Sequence, residues 1–184
     1  MGQLLLSFAV IVGTLSGQGD RAIAQTPLCP DPGSILATET TRILELPQFG
    51  LSLAIPENFR AILRNNGAVE IVNPGTYQVL HCVAEGGRAL GRGYSSVIVR
   101  SQPKADNINL RQFVENTTRL NGDITPYSWQ GQQGYLVRAL ADQSAQFWFA
   151  SNSQSEVVVI SSGCDCRGML DQLLAVLERT SPLE

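Results

Sequence analysis

Apolar residues along this chain change their period several times, and each change marks an element. Leu44 and Leu46 lead into Pro47-Gln48-Phe49-Gly50, and Leu51, Leu53 and Ile55 then alternate with small residues up to Pro56. A period of two belongs to a strand with one buried face. Phe59 to Arg64 and Ala68 to Val72 flank Asn65-Asn66-Gly67, which predicts a hairpin because Asn and Gly accept positive φ. After Asn73-Pro74-Gly75, the run Tyr77 to Val83 is apolar enough to predict a buried strand. Tyr94 to Val99 predicts another beyond the glycine and arginine loop from Gly86 to Gly93. The period then lengthens. Leu110, Phe113, Val114 and Thr117 stand at i, i+3, i+4 and i+7 and predict a helix over Asn109 to Leu120, capped by Asn107 or Asn109 and ended by Asn121-Gly122. Strand patterning returns at Ile124 to Trp129, Tyr135 to Leu140, Gln146 to Ala150 and Glu156 to Ser161, whose short connections predict an antiparallel meander. Met169, Leu170, Leu173, Leu174 and Leu177 form the apolar face of a last helix from Asp165 to Arg179, with Asp165 as its cap.

Strands, a helix, a meander and a final helix call for a single α+β domain over residues 42–184, its helices covering an antiparallel sheet. Residues 25–41, with Pro27, Pro30, Pro32 and Gly33, read as an extended arm fixed through Cys29. Ahead of it, Leu4 to Leu15 is an uncharged apolar run followed by Ala22-Ile23-Ala24, the pattern of a signal peptide over residues 1–24. The run is short of the roughly 20 apolar residues that span a membrane, so the mature chain is expected to carry no transmembrane helix. Cys29 follows Leu28, where a lipid-attachment site wants a small residue. The expected address is the periplasm, a thylakoid lumen or the extracellular space.

Composition narrows the chemistry. Of the 184 residues 43% are hydrophobic and 16% charged, and the net charge is -3. That charge offers no field to gather phosphate backbones, which argues against nucleic acid as a partner. Lys104 is the single lysine and His81 the single histidine. Any Ser-His-Asp triad must recruit His81, which sits in an apolar run and reads as a packed strand residue, and no Gly-x-Ser-x-Gly elbow occurs. A hydrolase would need converging acids such as Glu57, Glu70, Glu85 or Asp123, and their spacing suggests none. No cofactor is implied.

The four cysteines, Cys29, Cys82, Cys164 and Cys166, all follow the signal peptide, and an even count in an exported chain favours disulfides. A bridge between Cys164 and Cys166 would strain a small ring. That leaves Cys29–Cys164 with Cys82–Cys166, or Cys29–Cys166 with Cys82–Cys164. The alternative joins Cys82, Cys164 and Cys166, with His81, into a thiol-based redox or metal-handling site, though the spacing matches no zinc or redox pattern.

Candidate recognition residues are few. Gly86 to Gly93 lacks the Gly-Lys-Ser/Thr ending of a phosphate loop, which leaves Arg88 and Arg92 as a clamp for an acidic partner. Phe147-Trp148-Phe149 and Tyr127-Ser128-Trp129 carry aromatics of the kind that dominate binding surfaces. On strands at least half of them pack inward, and Trp148 or the pair Tyr127 and Trp129 are the candidates for a partner groove. Asn116-Thr117-Thr118 matches a glycosylation sequon but lies within the middle helix.

The stretch Phe49-Gly50-Leu51-Ser52-Leu53-Ala54-Ile55-Pro56-Glu57-Asn58-Phe59 resembles the opening of PsbP-like lumenal and periplasmic proteins. Phe113-Val114-Glu115, Gly134-Tyr135-Leu136-Val137 and Val157 to Ser161 follow in the matching order, so that the resemblance spans Leu44 to Arg179. It implies an α-β-α sandwich and a non-enzymatic accessory or assembly role at a membrane complex, typically photosynthetic, with a protein partner. The four cysteines and single histidine depart from PsbP itself, and no site residue is carried over.

Overall fold

The computed structural model describes residues 26–90, 96–118, 123–139, 144–151, 155–163 and 168–183. Strand β1 (Thr41–Leu46) turns through Pro47–Phe49 into β2 (Leu51–Pro56), as the alternation predicts, with Gly50 at φ 65° closing the turn. Strands β3 (Arg60–Leu63) and β4 (Val69–Val72) form the expected hairpin. Gly67 takes φ 80° there, and Arg64 and Ala68 close the loop by a 2.8 Å backbone hydrogen bond.

The next element corrects the sequence reading. The run expected as a buried strand, Tyr77 to Val83, lies in helix α1 (Pro74–Ala84). Asn73 accepts a hydrogen bond from the Thr76 backbone N–H at 2.9 Å, and Pro74 supplies a preset φ at the first helical position. What reads as a turn tripeptide is therefore a helix start. The helix is peripheral: only Gly75 and Thr76 are buried, and Tyr77 and Val83 are exposed.

Strand β5 (Ser96–Pro103) precedes α2 (Leu110–Thr118), where the Asn109 carboxamide accepts from the Gln112 N–H at 2.9 Å, one of the two predicted caps. The meander follows as β6 (Asp123–Trp129), β7 (Gln132–Ala139), β8 (Ser144–Ala150) and β9 (Glu156–Gly163). Helix α3 (Met169–Glu178) starts later than expected, with Gly168 rather than Asp165 at its N-cap; Asp165 lies outside the described residues. Strand β10 (Thr180–Pro182) is the last element among the described residues.

Seven strands form one antiparallel sheet in the order β3-β4-β5-β9-β8-β7-β6, and β1-β2-β10 form a second. One face of the large sheet, including Ile71, Val99, Phe147, Phe149 and Ile160, packs on α3 and the small sheet. The other face, with Val137, Trp148, Val157 and Val159, packs on Val114, Phe113 and Leu110 of α2. The layers are thus α2, the large sheet, then α3 beside the small sheet, the α+β arrangement that the pattern predicts.

The arm is held at more points than Cys29. Leu28 bridges Arg88 in parallel, with Cys29 N–H donating to the Arg88 carbonyl at 2.9 Å. Further on, Asn58 donates to the Leu36 carbonyl at 2.8 Å, and Glu57 N–H donates to Thr40 at 3.1 Å.

Candidate functional site

The structure pairs Cys29 with Cys82, 53 residues apart, and this corrects both expected connectivities. The reason is α1. A helix start at Asn73 turns Cys82 towards the arm, whose backbone pairs with Arg88 just beyond the helix end. Gly87 packs against both sulfurs, close enough that a Cβ there would lie 2.5 Å from Cys82 Sγ. Cys82 is thereby unavailable to the alternative thiol site, whose other members, Cys164 and Cys166, lie outside the described residues.

The remaining candidates divide between core and surface. Trp129 is buried, and its Nε1 donates to the Leu177 carbonyl at 2.7 Å. Trp148 is 1% exposed beneath α2, with Nε1 donating to Gln146 Oε1 at 2.9 Å. Tyr127 is half-buried and meets Phe147 edge-on at 5.6 Å between ring centres. The sheet is covered on both faces, so Phe147, Trp148 and Phe149 are all internal, and neither tryptophan is presented to a partner. Arg88 is exposed with its backbone engaged by the arm, while Arg92 lies outside the described residues.

His81 is on α1, exposed, with Nδ1 3.4 Å from Glu85 Oε2 rather than packed in a strand. The four acids do not converge. Glu57 accepts from Thr40 Oγ1 at 3.0 Å, Glu70 pairs with Arg64, Glu85 faces His81, and Asp123 opens β6. Among the described residues, no group of three or more His, Cys, Asp or Glu side chains could hold a metal ion. Among those residues, too, no helix is long and apolar enough to cross a membrane. Across the sheet on α2, the Glu115 carboxylate one turn away raises the Arg111 pKa above its ordinary value, first by a 2.8 Å hydrogen bond and then by charge.

What the fold does build is a cleft of about 220 Å³ between the small sheet and α3. Strand β2 and the turn after it supply Leu53, Ile55, Pro56 and Phe59, and β4 and β5 supply Ile71 and Val97. Helix α3 presents Gln172, Ala175, Val176 and Arg179, and Ala37 of the arm stands at the side. The walls are mainly apolar; Ser96, Ser162 and Gln172 give the polar side, with Ser162 Oγ 3.4 Å from Gln172 Oε1. Arg179, the residue that closes α3, brings the single charge among the described lining side chains, at a helix end where a cation is favoured. Sequence reading missed this site. Its residues come from five elements and the arm, and each looks locally like ordinary core or cap; small side chains at Ala54 and Ala175 are the only hint of space.

No protein-family model matches the chain, and no curated protein matches it. Among solved structures, cyanobacterial PsbP (CyanoP) of Synechocystis sp. PCC 6803 is similar with a TM-score of 0.48 and 8% identity, over 82% of this chain and 98% of that one. The Ran-binding protein Mog1p of Saccharomyces cerevisiae is similar with a TM-score of 0.43 and 15% identity, over 80% of this chain and 97% of that one. A protein of Bacteroides thetaiotaomicron reaches a TM-score of 0.43 with 7% identity, over 73% of this chain and 46% of its own. The resemblance to the PsbP-like family is thus one of general shape, and it carries no residue role across.

Proposed function

We propose that this chain is an exported, non-enzymatic accessory or assembly protein that binds a component of a membrane-associated complex, and that binding takes place in the cleft between β2 and α3. The observation that carries this reading is the cleft itself: an open, largely apolar recess with no paired acid and base, and no nucleophile–histidine pair, among its described lining residues. Such a recess suits holding an apolar group rather than transforming it. The Cys29–Cys82 bridge fits an oxidising compartment, as does the signal-peptide pattern over residues 1–24, so the periplasm or a thylakoid lumen is the place to look.

A photo-crosslinking amino acid placed at Ala37, exposed on the arm beside the cleft, and separately at Gln112, on the far layer, tests the reading. The mature protein is irradiated with membranes of the source cells. A discrete adduct from position 37 and none from 112 is expected. No adduct from 37, or equal adducts from both positions, would overturn it.

A further inference from the structure

We propose that the cleft binds a small amphipathic carboxylate, with its hydrocarbon body among Leu53, Ile55, Ile71 and Val176 and its carboxylate on Arg179; this rests on the cleft being the protein's binding site. Size is the first argument. About 220 Å³ falls below the roughly 300–1,000 Å³ of sites for drug-sized ligands.

Backbone pairing is the second. One long edge of β2 pairs with β1 along its whole length; on the other, β10 pairs with Leu51–Leu53, Ala54 N–H donates to the Arg179 carbonyl, and Pro56 has no N–H while its carbonyl accepts from Phe59 N–H. The stretch of β2 that lines the cleft therefore offers few main-chain groups to which a peptide could add, and main-chain pairing is what gives extended peptides their affinity. A compact molecule fits this recess better than a segment of polypeptide.

Charge is the third. Among the described residues, Arg179 is the one charged residue lining the cleft, and no carboxylate lines it. Its main chain is engaged, with N–H donating to Val176 and C=O accepting from Ala54 N–H at 2.8 Å. Its guanidinium has no hydrogen-bond or ion-pair partner among the described residues. Guanidinium matches a carboxylate with two parallel hydrogen bonds, and an apolar body with an anionic end satisfies both the walls and the rim. Because Arg179 is exposed, water limits its share to about a fivefold change in affinity.

Titration of the mature protein with sodium octanoate, octanamide and acetyl-Val-Leu, followed by backbone amide NMR shifts, tests the assignment. Octanoate is expected to shift β2 and α3 saturably and to bind about fivefold more tightly than octanamide. Arg179→Gln should bring octanoate down to the octanamide level and leave octanamide unchanged, while Ala175→Leu should weaken both. The amide spectrum of each variant reports that its fold is intact. Equal affinities of the two probes, or an Arg179→Gln variant that binds octanoate as before, would overturn the carboxylate assignment and leave the cleft a binding site. Binding of acetyl-Val-Leu without octanoate would make the occupant a polypeptide end and overturn the small-molecule assignment. Silence of all three probes overturns the ligand class, and a crosslink from position 37 would then show that the broader reading survives it.

Discussion

The indole of Trp129 donates to the carbonyl of Leu177 at 2.7 Å, tying the end of β6 to the last turn of α3. The turn that follows reinforces the tie, since Gln130 donates to the Thr180 carbonyl at 3.0 Å. Two glycine-like φ values, 45° at Gln130 and 82° at Gly131, give the tight reversal into β7 that places both side chains. Arg179, at the cleft, lies between the two anchored carbonyls.

Trp129→Phe keeps the ring contacts with Phe147 and Phe149 but leaves the Leu177 carbonyl without its buried donor. A loss of about 1–3 kcal/mol is expected. Urea unfolding followed by circular dichroism measures it, and an unchanged midpoint would count against this anchor.

The disulfide makes a sharper claim. Non-reducing peptide mapping should link Cys29 to Cys82, and Cys82→Ser should lower stability by about 2–5 kcal/mol by releasing a 53-residue separation. A map that joins Cys29 to Cys164 or Cys166 would show a different arrangement.

Gly87 extends the same argument. A Cβ at this position would lie 2.5 Å from Cys82 Sγ and 2.6 Å from Cys29 Sγ, so Gly87→Ala must push the bridge apart. Overpacking of this kind costs about 1–3 kcal/mol, and free thiol in the purified variant should rise. Thiol titration under denaturing conditions reads it, with native-like thiol content as the contrary result.

Both tryptophans should be shielded from water. Trp148 at 1% exposure and Trp129 at 5% predict blue-shifted emission and weak acrylamide quenching. Quenching close to that of free indole would place at least one of them at the surface and restore it as a candidate contact.

How far the sequence reaches is clear from these cases. The meander, the hairpin at Asn65-Asn66-Gly67 and the stripes of α2 and α3 are visible because each is a local rule: a period of two, a turn residue, a period near 3.6. Tyr77 to Val83 failed that rule because a short apolar run fits a buried strand and a helix alike, and the Asn73–Pro74 helix start was the signal that separated them.

By itself, then, the sequence determined the α+β class and the order of most elements, since these rest on periodicity. Tertiary structure decided the rest. Whether Trp148 meets solvent depends on α2 crossing the second face of the sheet; which cysteine meets Cys82 depends on where α1 points it. The cleft exists because β2, paired with β1, stands off from α3, and Arg179 borders it where Trp129 and Gln130 hold that helix end in place. These are relations between surfaces distant in the chain, and no local propensity encodes what will be packed opposite a residue.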